Sequence, residues 1–238
     1  MSLPEGPPGH RPAPRGRGRP RNVERNHAAR LDGPTARVGA SDASEPPVTP
    51  GTTASPANAG ERGPLDLTAL LAERVRDVPD YPSPGIVFKD ITPLLADHVA
   101  FAGAVDAIVA HHGRGTVDKV VGIEARGFIL AAPVAYHFGA GFVPVRKKGK
   151  LPGATYEESY ALEYGEAVIE VLRDAFTPGD RVLIVDDVLA TGGTARATID
   201  LVERAGGDVA GASVLIELGF LDGRARLPDV DVHALLVM

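Results

Sequence analysis

From about residue 66 onward, apolar positions along this chain alternate between helical and extended spacings. Leu67, Leu70, Leu71 and Val75 recur at i, i+3, i+4 and i+8, which predicts a helix over 66–76 with Asp66 as N-cap and Pro79 as stop. A turn-rich loop at 80–85 leads into an extended stretch at 86–88. The pattern then predicts a helix over 93–111, a strand at Lys119–Ile123, a helix over 127–138 with a local irregularity at Pro133, and a strand at 142–145. Residues 147–165 read as a long glycine-bearing loop or a hairpin. Strands are expected at 167–172 and 182–185, a helix at 192–205, and strands at 209–218 and Val232–Val237. Apolar strands alternating with helices predict an α/β fold with a mostly parallel central sheet flanked by helices.

Composition divides the chain. Residues 1–63 hold eleven of the 21 prolines and nine of the 28 glycines, but only six of Val, Ile, Leu, Met, Phe, Tyr and Trp. Such a segment buries too little apolar surface to offset its ordering entropy, so it is expected to be a disordered Pro/Gly/Arg-rich tail. It carries 9 Arg against 6 acids, or +3; residues 64–238 carry 16 basic and 25 acidic residues, or −9. The second part is expected to form one domain. An acidic, aromatic-poor domain argues against nucleic-acid binding, which leaves only the Arg-rich patch at 15–21 as a point where nucleic acid could touch; a solvated linker is the plainer reading. No run of 18 apolar residues and no apolar leader core occur, so no membrane span or signal peptide is expected, and the absence of cysteine suits a reducing cytoplasm.

The chemistry concentrates at 181–195. An apolar strand ends in Asp186 and Asp187, and Ala190, Thr191, Gly192, Gly193 and Thr194 follow before a helix. Free backbone N–H groups on a tight glycine-rich turn at a helix start make an anion site. The two acids would repel phosphate but can accept hydrogen bonds from sugar hydroxyls. Phosphate on the turn and pentose on the acids describe a ribose 5-phosphate site. The Gly-Lys-Ser/Thr ending of a nucleoside triphosphatase loop is missing, and an ordinary βα unit with an Asp pair at its strand end is the plain alternative.

Three further segments fall at expected strand ends, where open α/β sheets bind ligands. Glu124, Ala125 and Arg126 precede a helix and offer N–H groups and a guanidinium to a second anion, the pyrophosphate on C1 of the sugar; a Glu124–Arg126 salt bridge is the alternative. The basic run 146–150 would raise the potential where a diphosphate docks, with Lys147 as the contact expected. Residues 156–165 mix acids and tyrosines as a mobile lid would, or as a surface hairpin would.

These residues resemble a known family. Residues 181–195 are similar to the phosphoribosyl pyrophosphate signature of type I phosphoribosyltransferases. The segments 80–95, 121–130, 145–152, 162–165 and 185–194, in that order, resemble the adenine phosphoribosyltransferases from about residue 65 to the end. The resemblance implies the type I phosphoribosyltransferase fold, with a small N-terminal base-recognition hood and a flexible catalytic loop. It implies transfer of the 5-phosphoribosyl group from phosphoribosyl pyrophosphate to adenine, giving AMP and pyrophosphate in purine salvage. Val87, Phe88 and Lys89 would recognise adenine, with Lys89 standing where some relatives have arginine. Glu124, Ala125 and Arg126 would form the pyrophosphate loop, residues 190–194 the 5-phosphate loop, and Asp186 and Asp187 the ribose clamp. Glu163 and Tyr164 would be the pair on the catalytic loop. Mg²⁺ is implied as cofactor, held through substrate oxygens and water rather than by a protein cage, and a homodimer is implied. A phosphoribosyltransferase for another purine, or a non-catalytic sensor of phosphoribosyl pyrophosphate, are the readings that compete. The histidines 98, 111, 112, 137 and 233 match nothing catalytic and read as surface or packing residues.

Overall fold

The computed structural model describes residues 66–161 and 166–238; the segment 1–63, expected to be a tail, lies outside the described residues. Helix α1 (Leu67–Glu73) starts where expected, with the Asp66 carboxylate accepting from the Ala69 N–H. It stops three residues earlier than the sequence pattern suggests, because Arg76–Pro79 forms strand β1 and pairs antiparallel with β2 (Val87–Asp90). This two-stranded unit is the hood that carries residues 87–89.

The helix expected over 93–111 is two helices, α2 (Thr92–Ala96) and α3 (His98–His112). Asp97 divides them: its backbone is extended, and its carboxylate accepts from the N–H groups of Val99 and Ala100, so it caps α3 rather than continuing α2. Strand β3 (Lys119–Ile123), helix α4 (Arg126–Phe138) and strand β4 (Gly141–Lys147) follow. Within the segment 147–165, Thr155–Ala161 forms strand β5, which pairs antiparallel with β6 (Glu166–Leu172). Strand β7 (Asp180–Leu189) runs well past the expected 182–185 and carries both acids within it. Helix α5 (Gly193–Arg204), β8 (Gly207–Glu217), two short 3₁₀ turns at 219–226 and β9 (Val232–Val237) complete the chain.

The strand order in the main sheet is β5-β6-β4-β3-β7-β8-β9; the five strands from β4 to β9 are mutually parallel and the β5–β6 hairpin is antiparallel. Successive residues of β7 feed opposite faces, Leu183 and Val185 packing with Leu71, Ile108 and Leu130 on one side, Val182 and Ile184 with Ile199 and Val202 on the other. All four β7 side chains are at most 2 % exposed, and each stabilises by about 1.5–3 kcal/mol relative to solvent. Chain direction across the sheet reverses between β3, whose crossover runs to β4, and β7, whose crossover runs to β8. At such a switch point the two crossovers part and leave a crevice beyond the strand C-termini. The expected α/β architecture with its mostly parallel sheet is the one observed. Among the described residues no helix is long and apolar enough to cross a membrane.

Candidate active site

Both loops at the switch point open onto helices whose first turns lack side-chain caps. Gly192 precedes α5 and Ala125 precedes α4, and neither end has a side-chain hydrogen bond, whereas α1 and α3 are each capped by an aspartate. Uncapped first-turn N–H groups leave donors and the positive end of the helix dipole available to an anion. Beside α5 the turn bounds a cup of about 90 Å³, lined by Asp186 and residues 188–195. The cup is rigidly backed. Gly192 has φ +80°, and a Cβ there would lie 2.3 Å from the Gly223 carbonyl oxygen; a Cβ on Gly223 would lie 2.2 Å from the Ala190 carbonyl oxygen. Gly223 is a part of the site that the sequence reading missed, and its only sequence signal is a lone glycine in Leu221-Asp-Gly-Arg224.

Asp186 and Asp187 sit next to that cup. The Asp187 N–H donates to Asp186 Oδ1 at 2.9 Å. Gly127, at the start of α4, lets the helix close on this pair, since a Cβ there would come within 2.6 Å of Asp186 Oδ1. The Asp186 carboxyl is pushed well above the ordinary carboxylate range by burial and by the charge of Asp187. Burial also raises Asp187, partly offset by the positive charge of Arg126. The Arg126 Nη2 lies 2.8 Å from Asp187 Oδ2 but off the N–H direction, so that buried oxygen has a charge partner without accepting a hydrogen bond.

Arg126 also joins the acids to the hood. Its guanidinium stacks over the Phe88 ring at 4.7 Å and donates to the Lys89 carbonyl at 3.4 Å. Phe88 in turn meets Tyr81 edge to face at 5.2 Å. Lys89 pairs with Asp77 at 2.7 Å, so its ammonium already has a carboxylate partner. A groove of about 660 Å³ runs between the hood and the end of β8, bounded by Ile86, Val87, Lys89, Leu218 and Phe220. Phe220 was not among the expected site residues; the available signal was an aromatic directly after a strand C-terminus.

The Glu124–Arg126 salt bridge considered as an alternative is not formed. Glu124 instead accepts from the Arg146 guanidinium at 3.0 Å and from the Lys147 N–H at 3.0 Å, and the Arg146 hydrogen bond holds its carboxyl below the usual range. This contact ties the loop at 124–126 to the basic run, so the end of β4 and the end of β3 face one crevice. The buried Glu170 fixes the turn after Lys147 by accepting from the N–H groups of Lys150 and Leu151. Burial alone would raise the Glu170 carboxyl, but these backbone donors outweigh it and the net shift is downward.

Arg126, next to Ala125, thus links Phe88 and Lys89 to Asp187, whose neighbour Asp186 lines the cup with residues 190–194; Glu124 ties the same loop to the Lys147 backbone, and Val87 lines the groove by the hood. Glu163 and Tyr164 lie outside the described residues. Of the segment 156–165, expected to be a lid or a surface hairpin, the described part belongs to strand β5, where Tyr156 packs under Arg173 and Arg204; residues 162–165 lie outside the described residues.

Residues 92–236 match the phosphoribosyl transferase domain family. An adenine phosphoribosyltransferase of Acidothermus cellulolyticus is 67 % identical over 173 residues, which cover 73 % of this chain and 98 % of the relative. Its counterpart in Streptomyces coelicolor is 65 % identical over 164 residues, 69 % of this chain and 90 % of the relative. Among solved structures, adenine phosphoribosyltransferase from Rhodothermus marinus superposes with a TM-score of 0.70 at 57 % identity, over 72 % of this chain and 98 % of that one. The Saccharomyces cerevisiae enzyme, solved with an imino-altritol bisphosphate and adenine, gives a TM-score of 0.69 at 37 % identity, over 71 % of this chain and 98 % of that one.

Proposed function

The chain belongs to the adenine phosphoribosyltransferase family, and from its site we propose how it transfers the 5-phosphoribosyl group of phosphoribosyl pyrophosphate to adenine. One observation carries the reading: an uncapped helix start bounds a small cup directly beside the half-buried Asp186 and the buried Asp187 at the switch point of the sheet. The 5-phosphate accepts from the main-chain N–H groups of residues 190–194. The ribose hydroxyls donate to Asp186 and Asp187, which relieves the repulsion between two neighbouring carboxylates. The N–H groups of residues 124–126, together with Arg126 and Lys147, receive the diphosphate.

The barrier is the positive charge that builds on the ribose ring as the C1–oxygen bond to pyrophosphate breaks. Carboxylate charge on the aspartate pair beside the ring stabilises that positive charge in a partly buried site, where electrostatics are strong. The electron pair leaves with the pyrophosphate, whose charge the α4 start and the basic residues receive. Adenine N9 attacks the opposite face of C1, and its proton passes to Glu163 directly or through water, a role assigned from the resemblance alone. Adenine lies by the hood, read by the backbone of residues 87–89, with the Phe88 ring stacking on the base as the resemblance implies. Holding both reactants in one crevice contributes the entropic advantage of an intramolecular step.

The oxygen donors of Asp186 and Asp187 fit a hydrated Mg²⁺ that would be carried by diphosphate and ribose oxygens, as the resemblance implies. When bound, it would neutralise diphosphate charge and ease departure of the leaving group. We further propose that residues 64–238 form the catalytic domain, that 1–63 are a tail outside it, and that the enzyme is a cytoplasmic homodimer. The test is pyrophosphate release by the purified full-length chain. Release that depends on adenine and exceeds that with hypoxanthine or guanine supports the reading; tight binding of phosphoribosyl pyrophosphate without AMP formation overturns it.

A further inference from the structure

Away from the crevice, the end of α3 and the start of β9 bring three histidines together. The ligand nitrogens of His111, His112 and His233 all lie within 4.8 Å of one another. Asp231 adds an oxygen, its Oδ2 lying 3.7 Å from His111 Nε2. The cluster flanks β9, the last strand of the sheet, on the face covered by α3. Nothing in phosphoribosyl transfer uses it.

We propose that His111, His112 and His233, with Asp231, form a binding site for a divalent transition-metal ion of the Zn²⁺ class. Imidazole nitrogen selects such ions over Mg²⁺ and Ca²⁺, which take oxygen ligands. The rings are held in the way metal-binding imidazoles usually are, by a polar partner behind them. The Ser213 hydroxyl lies 2.8 Å from His112 Nε2 and 3.4 Å from His233 Nδ1, so it engages one nitrogen of each of these two rings. Gly211 makes room for this arrangement: a Cβ there would sit 3.2 Å from His112 Cε1 and 3.1 Å from the Asp231 carbonyl oxygen.

One movement is required. His111 stacks on His233 with centroids 3.8 Å apart and planes 5° apart, and two parallel rings cannot aim lone pairs at one ion. His111 is the exposed member, in the last turn of α3, so its ring can turn out of the stack without disturbing the core. Two nitrogens on a tetrahedral zinc lie about 3.4 Å apart, given bonds of about 2.1 Å. The present separation, within 4.8 Å, closes to that with a shift of roughly 1 Å.

The test is calorimetric titration of ZnCl₂ into chelator-treated full-length protein, with His111→Ala and His233→Gln beside it. His10 and His27 in the N-terminal segment remain in every variant, so they serve as an internal control. The proposal expects one zinc equivalent in the wild type, weakened about tenfold or more in each variant, while circular dichroism and AMP formation stay intact in His111→Ala. Co²⁺ should give the intense visible absorption of a four-coordinate ion in the wild type and lose it in His111→Ala. No saturable zinc binding in the wild type, or equal affinity in wild type and His111→Ala, overturns it. If His233→Gln fails to fold, His111→Ala and the Co²⁺ spectrum decide.

Discussion

Gly192 and Gly223 press against each other so closely that neither can carry a side chain: a Cβ on the first would meet the carbonyl oxygen of the second at 2.3 Å. The turn at 190–194 is thus held from behind by the 3₁₀ turn that carries Gly223. Gly223→Ala should push the Ala190 carbonyl and shift the turn. Overpacking of this kind costs about 1–3 kcal/mol, so a lower Tm is expected together with a KM for phosphoribosyl pyrophosphate raised about tenfold or more. An unchanged KM would show that the turn position does not matter for substrate binding.

The acid pair makes a prediction about pH. A carboxyl whose pKa is raised on folding binds its proton more tightly in the native state, so stability declines as pH rises from the ordinary carboxylate range toward the raised value. Burial and mutual repulsion raise both Asp186 and Asp187. Asp186→Asn keeps an oxygen for the Asp187 N–H and removes one charge. Its Tm should exceed the wild type at about pH 8, with the difference vanishing toward about pH 4, while turnover falls sharply. Thermal melts across pH check this, and a lower Tm for the variant at about pH 8 would contradict it.

Much of this site was legible in the sequence because it is local. The strand, the acids and the turn at 181–195 are contiguous, and backbone chemistry alone indicates an anion at such a turn. Long-range pairing was not legible. The helix expected over 66–76 lost its end to β1 because Val87–Asp90 lies across from Arg76–Pro79 and supplies hydrogen bonds that no local pattern reveals. Likewise Glu124 pairs with Arg146, 22 residues away, and not with its neighbour Arg126, since strand order places the ends of β3 and β4 side by side. Gly223 and Phe220 became part of the crevice only through the return of β8 beside β7.

Glu124 offers a third prediction. Its carboxylate accepts from Arg146 and from the Lys147 N–H, so Glu124→Gln should loosen the diphosphate side of the crevice. A rise of about five- to tenfold in KM for phosphoribosyl pyrophosphate is expected, in line with about 1 kcal/mol or slightly more for a weakened charged hydrogen bond. Since the Glu124 pKa is depressed on folding, its contribution is present above the ordinary glutamate range and lost as pH falls through the lowered value. The Tm gap between wild type and variant should therefore be seen at neutral pH and close in acid. A gap independent of pH would assign the residue a packing role.

Glu163→Gln separates proton handling from binding. Removing a general base costs about 10²–10⁴-fold in rate, so kcat should fall by that order with KM for adenine and Tm little changed. Steady-state kinetics and a thermal melt on the same preparation check it. Parallel losses of stability and rate would make Glu163 a structural residue.

The central claim is that the turn at 190–194 holds a phosphoryl group with main-chain N–H groups while Asp186 and Asp187 hold the attached pentose. A crystal structure of the full chain with AMP tests it most directly. The expected result is the 5′-phosphate seated at the start of α5 and both ribose hydroxyls on the two carboxylates. AMP bound elsewhere, or with its phosphate on the basic run and the turn untouched, would contradict the account.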